Sequence, residues 1–497
     1  MHDRSTLDAQ ARAVLNELKG AKLTVKQRAA IPSQEMPAQD PLQRIGNMNE
    51  VATGYTEAQA RVEAARCLQC KTAPCIKGCP VAIDIPRFVK YAEDGEFLQS
   101  LAVIKESSLL PAICGRVCPQ ESQCQETCTL GKMLKDVNKS VSIGRIERYV
   151  ADFERESGEV SMPETAPDTG KRIAVIGSGP AGITAAADLR KEGHGVTVFE
   201  AFHKPGGVMV YGIPEFRLPK AIVESEIENL KQMGVEIRTN FLVGMTRKLV
   251  DLIDQDGYDA VFIGSGAGLP KFMHIEGENL IGVLSANEYL TRSNLMKAYD
   301  TEHAQTPIIR SKVVAVLGGG NVAMDAARTA VRLGAKKVYI VYRRTEQEMP
   351  ARVEEVAHAK EEGVEFLLLQ SPSRILGDER QHVRALEVLS YQLGEPDASG
   401  RRRPIVIEGS EHELPVDTVI VSIGNDSNPL LERTTEGLAT NKWGNIIINE
   451  EDCSTSLDRV YAGGDIVLGA ATVILAMGQG RKAAAAIHER LTRDQQS

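Results

Sequence analysis

Residues 171–200 read KRIAVIGSGPAGITAAADLRKEGHGVTVFE. An apolar run leads into a glycine turn and a helical run of small residues, and a second apolar run then ends at Glu200. This order of strand, turn, helix and strand predicts a βαβ unit of a parallel sheet. Gly177, Gly179 and Gly182 stand where such a turn receives a dinucleotide pyrophosphate at the helix start. The stretch therefore predicts a dinucleotide-binding domain, with a terminal carboxylate for the ribose hydroxyls.

Residues 312–344 repeat the pattern as KVVAVLGGGNVAMDAARTAVRLGAKKVYIVYRR, with Ala323 as the third small residue of the turn. The second strand of this unit ends in Arg343 and Arg344, where the first unit has Glu200. A carboxylate would repel a ribose 2′-phosphate, whereas a guanidinium binds it through charge-assisted hydrogen bonds of about 1.5–3 kcal/mol each. We therefore expect this unit to bind NADPH. The alternative is a pair of solvated arginines that close a strand.

A third glycine-rich stretch, YAGGDIVLGAATVILAMGQGRKAAAAI at 461–487, has the form of a strand, a Gly-Asp turn and a helix that return to the first domain. The chain is thus predicted to be an α/β protein with two doubly wound dinucleotide-binding domains, one inserted in the other. The expected bounds are 171–285 and 412–497 for the first domain and 286–411 for the second. Asp465 is expected beside the ribityl chain or pyrophosphate of a flavin, and a helix-capping turn aspartate is the alternative.

The composition excludes several classes of protein. The chain has 497 residues, of which 42% are hydrophobic and 25% charged, as in an average globular protein. A formal charge of −9 argues against a nucleic-acid partner. No run approaches the ~20 apolar residues of a membrane span, and the start Met-His-Asp-Arg does not resemble a signal peptide. We therefore expect a soluble cytoplasmic protein with no membrane partner.

Cysteines are concentrated near the N-terminus, where residues 1–155 are predicted to form a small helical domain. Eight of the nine lie between Cys67 and Cys128. They fall into two groups of four: Cys67, Cys70, Cys75 and Cys79, then Cys114, Cys118, Cys124 and Cys128. Thiolates bind zinc or iron–sulfur clusters. The Cys-Pro ending of the first group resembles a ferredoxin run, and histidine is absent from this region, so two [4Fe–4S] clusters are favoured over zinc.

The three kinds of site form one electron path. A nicotinamide gives two electrons as hydride and a cluster accepts one at a time, so a flavin is needed between them. We therefore assign FAD to the first dinucleotide site and NADPH to the second. The candidate FAD residues are Gly177, Gly179, Pro180, Ala181, Gly182, Glu200, Gly464, Asp465 and Thr472. The candidate NADPH residues are Gly318, Gly320, Asn321, Val322, Arg343 and Arg344.

Several longer motifs occur in one order over nearly the whole chain: CLQCKTAPCIKGCPVAIDIPRFV, CGRVCPQESQC, IGSGPAG, GGVMVYGIPEFRLPK, IGSGAGLPKF, GGGNVAMD, YRRTEQEMPA and YAGGDIVLGAATV. In these motifs the chain resembles the family of the small (β) subunit of NADPH-dependent glutamate synthase. The large subunit of the electron-bifurcating NADH-dependent ferredoxin:NADP oxidoreductase and the N-terminal half of dihydropyrimidine dehydrogenase share this architecture.

The resemblance implies a different grouping of the cluster ligands from the four-plus-four count. One cluster would be bound by Cys67, Cys70, Cys75 and Cys128. The other would be bound by Cys79, Cys118, Cys124 and Glu147. Cys114 would then be a buried non-ligand. From the residues alone, Glu147 would be taken as an exposed helix glutamate.

The resemblance also implies further cofactor contacts. The flavin would be lined by Gly206, Gly207, Tyr211, Gly212 and Ile213, with Val243 at its adenine end. The nicotinamide nucleotide would contact Gly266, Ala267, Asn321, Arg343 and Arg344.

The implied function is an electron-input subunit. Hydride would pass from NADPH to FAD, and single electrons would pass through two [4Fe–4S] clusters to a larger catalytic or electron-accepting partner. In glutamate synthase that partner makes glutamate from glutamine and 2-oxoglutarate. The alternative is the large subunit of a bifurcating ferredoxin:NADP oxidoreductase. We predict no catalytic side chain, because positioning of the cofactors carries the chemistry. A disulfide reductase is nearly excluded because no cysteine lies between Cys128 and Cys453.

Overall fold

The computed structural model of the chain describes residues 3–396 and 402–496. An N-terminal group of helices is followed by two five-stranded parallel sheets. The N-terminal helices span Arg4–Leu18 (α1), Val25–Ala30 (α2), Pro41–Arg44 (α3), Glu57–Ala65 (α4), Pro74–Lys77 (α5), Ile85–Asp94 (α6), Phe97–Lys105 (α7), Pro111–Val117 (α8), Thr129–Leu134 (α9) and Ile143–Ser157 (α10).

Local sequence signals explain the helix ends in this N-terminal part. Thr56 and Gln59 form a capping box at the start of α4, in which each side chain accepts a hydrogen bond from the other's backbone N–H. Gly95 ends α6 with a φ of 88°, a left-handed conformation that a glycine adopts without steric cost. Helices α6 and α7 are therefore separate elements.

The strands of the α/β part are, in chain order, Arg172–Ile176 (β1), Gly195–Phe199 (β2), Glu236–Arg238 (β3), Ala260–Ile263 (β4), Leu269–Pro270 (β5), Val283–Ser285 (β6), Val313–Leu317 (β7), Lys337–Tyr342 (β8), Glu365–Leu368 (β9), Gln370–Gly377 (β10), Val383–Pro396 (β11), Arg402–Val406 (β12), His412–Pro415 (β13), Thr418–Val421 (β14), Asn425–Asp426 (β15) and Val460–Ala462 (β16). Its helices are Pro180–Lys191 (α11), Val208–Tyr211 (α12), Lys220–Gln232 (α13), Leu249–Asp254 (α14), Ala286–Asn294 (α15), Asn321–Arg332 (α16), Val353–Glu361 (α17), Leu430–Thr434 (α18), Asp465–Leu468 (α19) and Val473–Gln496 (α20).

The first sheet has the strand order β16-β4-β1-β2-β3, with every neighbouring pair parallel. Strand β1 contributes side chains to two apolar cores. Ile173 and Val175 pack in the core that also holds α11, and Ala174 and Ile176 pack in the core that also holds α14. Both faces of this sheet are therefore covered, as its uninterrupted apolar strands require.

The second sheet has the order β6-β14-β7-β8-β9 and is also parallel. Since β16 returns to the first sheet after β14 has joined the second, one doubly wound domain is inserted in the other, which confirms the predicted α/β fold class. Strands β10, β12 and β13 pair antiparallel with β11 and form an adjoining sheet.

The inserted domain is longer than the predicted range 286–411. Strands β6 and β14 pair with each other, so the second sheet begins before residue 286 and continues past residue 411. The two connections between the domains run together as the antiparallel pair β5 and β15. The four strands β5, β6, β14 and β15 have only two to four residues, and no glycine turn of the dinucleotide-binding type marks them in the sequence. Each is defined by pairing with a strand that is far away along the chain.

Among the described helices none combines the length and the apolar character that crossing a membrane requires.

Candidate functional site

The loop after β1 leaves an open space at the start of α11. Gly177 has a φ of +96°, and a Cβ there would lie 2.6 Å from the carbonyl oxygen of Gly264. Within the described chain, no atom lies within 4 Å of the place where a Cβ of Gly179 would be. Gly182 packs against the carbonyl of Gly177, which brings α11 close to β1. The three glycines thus provide a tight turn, an open approach and a close packing of helix on strand.

Glu200 braces this loop from the end of β2. Its buried carboxylate accepts hydrogen bonds from the Ser178 backbone N–H at 3.0 Å and from the Ser178 hydroxyl, and it accepts another from the Phe202 N–H at 2.8 Å. Ser178 Oγ in turn accepts a bond from the N–H of Gly206 at 2.9 Å. The carboxylate therefore orders the glycine loop. Ser178, which the sequence analysis missed, joins this loop to the segment that begins at Gly206.

The segment after Gly206 lies against the same opening. A Cβ on Gly207 would be 2.8 Å from the Cα of Gly179. The carbonyl oxygens of Tyr211 and Gly212 accept hydrogen bonds from Asn294 Nδ2 at 3.3 and 3.2 Å. Helix α15, which carries Asn294, thereby fixes the backbone that the resemblance places along the flavin.

Two further residues, Lys220 and Tyr211, belong to the segment that follows Gly206. The buried Lys220 Nζ donates hydrogen bonds to the Ile213 carbonyl at 2.6 Å and to the Leu218 carbonyl at 2.7 Å, and burial lowers the pKa of Lys220 to about 8. Burial, with a further contribution from the negative charge of Asp465, raises the pKa of Tyr211 to about 12. The Tyr211 ring packs edge-on against the ring of Phe202, with 5.7 Å between the ring centroids.

The Gly-Asp turn packs on the start of α11. A Cβ on Gly464 would lie 2.9 Å from the Cβ of Ala181, and the Gly464 N–H donates a hydrogen bond to Gln479 Oε1 at 2.6 Å. Asp465 accepts a bond from the Ala471 N–H at 3.2 Å, and burial raises its pKa to about 6. Gln479, on α20, is a second residue that the sequence analysis missed, although it lies within the quoted glycine-rich stretch.

The remaining predicted FAD residues are placed as follows. Pro180 is the first residue of α11, directly after Gly179. Thr472 precedes α20 and accepts a hydrogen bond from the Leu475 N–H at 3.4 Å. Val243 is buried in the core that holds Phe199, two residues beyond Phe241. The glycine loop, Glu200 and the Gly-Asp turn thus lie at the carboxyl ends of β1, β2 and β16, which is where open α/β sheets bind ligands.

The second glycine loop has the same form at the end of β7. Gly318 packs against the carbonyl of Ser422, and a Cβ on Gly319 would lie 2.9 Å from the ring of Tyr342. Gly320 is more open, with only Pro350 Cγ near, at 3.8 Å from its Cβ position in the described chain. The Asn321 side chain accepts a hydrogen bond from the Arg352 N–H at 2.9 Å. The orientation of the Asn321 side chain is thus fixed by a backbone hydrogen bond within the protein.

The other predicted NADPH residues surround this loop less closely. Val322 is 39% exposed on α16, and Ala267 is buried beyond β4. Gly266 has open space above it in the described chain. Arg343 is exposed, and Arg344 donates a hydrogen bond from Nε to the Arg402 carbonyl at 3.2 Å. Among the described residues, neither guanidinium lies within 4.0 Å of a carboxylate, so both charges are available to a phosphate.

Four cysteines from two separate segments line one cavity in the helical domain. They are Cys67, Cys70, Cys75 and Cys128. Cys67 and Cys70 follow α4, Cys75 lies in α5, and Cys128 precedes α9. Burial, together with the charges of the neighbouring cysteines, raises the pKa of the Cys67 thiol to about 11 and that of the Cys75 thiol to about 12. Binding of cationic iron would offset both effects. The cavity combines the residues that the resemblance assigned to one cluster.

A second cavity is lined by the other predicted ligands, namely Cys79, Cys118, Cys124 and Glu147, together with Cys114. Glu147 lies on α10 and is only 6% exposed. Its Oε1 atom is buried without a hydrogen-bond partner in the described structure, and burial raises its pKa to about 8. An unpaired buried carboxyl among thiols is costly for the protein alone, and binding to an iron atom would satisfy it. These residues therefore fit a cluster.

Cys114 differs from the other thiols of this cavity. It is buried in α8, and its Sγ donates a hydrogen bond to Met477 Sδ at 3.5 Å. This partner agrees with the non-ligand role that the resemblance implies. In the described part of the chain, no group of three or more His, Cys, Asp or Glu side chains is arranged to hold a single metal ion. The ligands of a four-iron cluster bind different iron atoms and stand farther apart than ligands around one ion.

The second cavity adjoins the predicted FAD site. Ile474 of α20 lines the cavity, and Gln123 Nε2 donates a hydrogen bond to Thr472 Oγ1 at 3.5 Å. A Cβ on Gly478 of the same helix would lie 2.9 Å from the Pro80 carbonyl oxygen, directly after Cys79. The start of α20 is thus shared by the flavin-side turn and the second cysteine cavity.

Comparison with known proteins agrees with this architecture. Residues 44–159 match the family described as dihydropyrimidine dehydrogenase domain II, 4Fe-4S cluster. Residues 171–480 match the pyridine nucleotide-disulphide oxidoreductase family. Among solved structures, FprA from Mycobacterium tuberculosis in complex with NADPH is similar with a TM-score of 0.56 at 21% identity, over 67% of this chain and 86% of that one. At this identity the likeness shows the fold of the α/β part.

Two curated relatives illustrate the likeness over longer stretches. The glutamate synthase [NADPH] small chain of Azospirillum brasilense is 36% identical over 92% of this chain and 94% of its own length. The NADP(+)-dependent formate dehydrogenase subunit beta of Moorella thermoacetica is 39% identical over 84% of this chain, which spans 60% of that longer relative. These matches confirm the family resemblance seen in the motifs. The chain therefore belongs to the family of the glutamate synthase small chain, and it is an oxidoreductase in which a 4Fe-4S domain precedes a pyridine nucleotide oxidoreductase domain.

Proposed function

We propose that this chain is the electron-input subunit of a larger enzyme of the glutamate synthase type, which takes hydride from NADPH and delivers single electrons to a partner subunit. The observation that carries the proposal is the shared start of α20. There the Gly-Asp turn of the FAD site and the cysteine cavity around Glu147 use the same short segment, 464–474. An electron leaving the first site would meet the second without crossing a further domain.

In this proposal the residues of the chain bind the cofactors and the nucleotide and orient them. When bound, FAD and iron–sulfur clusters supply the change from two-electron to one-electron transfer. The open Gly179 and the start of α11 stabilise a pyrophosphate, because free N–H groups and the helix dipole point at it. Glu200 holds that loop, and Asn294 holds the backbone at Tyr211. Arg343 and Arg344 select a 2′-phosphorylated nucleotide at the second loop.

We further propose that the helical domain binds two [4Fe–4S] clusters, one in each cysteine cavity. The cavity with Glu147 is the one beside α20, so it would be reached first. The neighbouring cavity, lined by Cys67, Cys70, Cys75 and Cys128, would be reached second. The two cavities are adjacent, since Ile85 and Ile143 line both of them.

The proposal is tested in two stages on anaerobically purified protein. Iron and labile sulfide are measured first, followed by paramagnetic resonance after reduction with NADPH. We expect sulfide to accompany iron and two cluster signals to appear. The chain is then combined with a candidate large subunit, and NADPH oxidation dependent on glutamine and 2-oxoglutarate is assayed. Zinc without sulfide would contradict the electron path, and a reduced protein that supports no glutamate formation would contradict the partner.

A further inference from the structure

The cavity farther from the FAD site opens close to the protein surface. Three of its four ligand candidates, Cys67, Cys70 and Cys75, are half-buried and Cys128 is buried, whereas in the other cavity only Cys79 is half-buried and Cys118, Cys124 and Glu147 are buried. Electrons tunnel to a partner over short distances only, so the place where a cluster is thinly covered is where an acceptor has to dock. The surface around the first cavity is therefore the relevant one.

Five exposed lysines lie in the two segments that form this cavity: Lys71, Lys77, Lys132, Lys135 and Lys139, which we call the lysine face. Residues 67–79 and 129–139 together contain these five lysines and one aspartate, a formal charge of +4. Adding the exposed Glu126, which lies just before the second segment, leaves +3, whereas the whole chain carries −9. Positive charge is therefore concentrated beside the cavity that has more half-buried cysteines, in a protein that is acidic as a whole.

The two segments are joined by direct contacts. Arg66 Nη2, directly before Cys67, donates a hydrogen bond to the Lys139 carbonyl at 2.7 Å. A Cβ on Gly78, directly after Lys77, would lie 2.8 Å from the Gln123 carbonyl oxygen. Cys70 and Cys75 of the first segment and Thr129 and Leu130 of the second also line the same cavity, so the lysine face lies beside that cavity.

The charges of the lysine face are not used inside the protein. Among the described residues, Lys139 alone of the five has a carboxylate within 4.0 Å, that of Asp136. Met133 and Val137 are 46% and 38% exposed in the same segment. Exposed apolar side chains among charges that are mostly unpaired and of one sign are typical of a docking surface for a partner of opposite sign.

We propose that the lysine face is the docking surface for an acidic electron-accepting protein domain, which receives electrons from the cavity lined by Cys67, Cys70, Cys75 and Cys128. This inference rests on the proposed function. Each encounter transfers one electron: the cluster in the cavity is oxidised by one electron, the redox centre of the acceptor is reduced by one, and no bond or proton is exchanged. Two encounters remove the two electrons of one NADPH hydride.

The test uses the holoprotein, NADPH and two protein acceptors of opposite charge. These are an acidic [2Fe–2S] ferredoxin and the basic haem protein cytochrome c. The charge-reversed double variant Lys71→Glu/Lys132→Glu is compared with the control Lys248→Glu/Lys336→Glu, whose lysines are exposed and lie in the two dinucleotide-binding domains. Reduction of the bound flavin by NADPH is followed separately by its visible absorbance.

We expect the first variant to lower kcat/KM for ferredoxin by about tenfold or more at low ionic strength, because charge complementarity sets the rate of encounter. The rate with cytochrome c should hold or rise. The control should change the ferredoxin rate by less than about twofold. Added salt should slow the wild-type reaction with ferredoxin and have little effect on the variant.

Equal ferredoxin kinetics of the variant and the wild type would overturn the docking surface while leaving the proposed function intact, provided that NADPH still reduces flavin and clusters. If NADPH did not reduce the clusters of the wild-type protein, the proposed function itself would be refuted. Binding of the wild type to anionic lipid vesicles that the variant loses, with no change in ferredoxin reduction, would reassign the lysine face to a membrane surface.

Discussion

At the residue scale, we expect Arg343 and Arg344 to decide the choice of nucleotide. The guanidinium of neither is consumed by an ion pair in the described structure, and Arg344 is fixed through Nε to the Arg402 carbonyl. Each charge-assisted bond to a 2′-phosphate contributes about 1.5–3 kcal/mol, which corresponds to about tenfold to a hundredfold in affinity. Replacing both residues by alanine should therefore raise the KM for NADPH by at least about tenfold.

Steady-state kinetics with both nucleotides check this prediction. NADH carries no 2′-phosphate, so its KM should change little in the double variant. Arg310→Ala is the matched control, because Arg310 is exposed in the same domain but precedes β7, at the opposite edge of the sheet. A similar rise of both KM values would reject the phosphate role and leave the two arginines as solvated strand-end residues.

Glu147 is the second residue with a specific expectation. Glu147→Gln keeps the size of the side chain and removes the carboxylate that an iron atom would bind. We expect one of the two paramagnetic signals of the reduced protein to change and electron transfer to a protein acceptor to fall by about tenfold or more, as changes around metal centres commonly do. Glu156→Gln, at an exposed position of the same helix, should alter neither. An unchanged spectrum would return Glu147 to a structural role.

These two cases show how far sequence reasoning reaches for single residues. The position of the arginine pair at a strand end could be predicted, because the apolar strand before it has a clear local signature, and its role toward the nucleotide stays a prediction. Glu147 has no such local signal: it is one glutamate on an amphipathic helix, and only the family motif or the folded chain sets it beside Cys79 and Cys118. Ser178 and Gln479 were missed because their roles are hydrogen bonds to backbone groups, which no spacing rule records.

At the scale of secondary-structure elements, helix α20 leads to a prediction about flavin retention. It follows the Gly-Asp turn, and Gln479 reaches back from its second turn to accept the Gly464 N–H at 2.6 Å. Gln479→Ala would leave that donor unsatisfied, at a cost of about 1–3 kcal/mol. If the turn helps to hold FAD, the variant should lose flavin more readily, with an affinity about tenfold lower.

The measurement is the flavin content of the purified protein after dialysis. Gln479→Glu preserves an acceptor oxygen at the same distance from the backbone and serves as the control, which should retain most of the flavin. Equal flavin retention in the alanine variant and the wild type would show that the turn is ordered without Gln479.

At the same scale, the sequence predicted the elements that have local signatures and misplaced those that have none. The apolar strands β1 and β7 with their glycine turns were found, and so was the insertion, because β16 repeats a strand and Gly-Asp turn. The ends of the inserted domain were placed too narrowly. Strands β6 and β14 are short, and their membership in the second sheet depends on pairing with each other across more than a hundred residues.

At the scale of the whole molecule, a buried ionic cluster joins the N-terminal part to the inserted domain. Arg44 Nε donates a hydrogen bond to Glu362 at 2.7 Å, and Glu361 accepts another from Arg44 at 2.8 Å. Arg328 and Arg332 of α16 also contact Glu362, at 2.8 and 2.6 Å. One fully buried carboxylate therefore contacts three arginines, of which Arg44 lies almost three hundred residues before the other two, and Glu355 and Glu361 supply further negative charge. The hydrogen bonds and charges of the arginines hold the pKa of Glu362 well below its usual value of 4.5.

Glu362→Gln should destabilise the protein by about 3–5 kcal/mol, because it leaves buried guanidinium groups without their counter-charge. Chemical unfolding at neutral pH measures this loss. Glu361→Gln is the control: its side chain is 38% exposed and also contacts Arg44, so the effect should be smaller. Because the folded pKa of Glu362 is lowered, its stabilisation is complete above about 4.5 and is lost as the pH falls toward the folded pKa. Wild type and variant should therefore converge in stability on acidification, and a constant difference between pH 7 and pH 3 would show that the ionised carboxylate is not what joins the two parts.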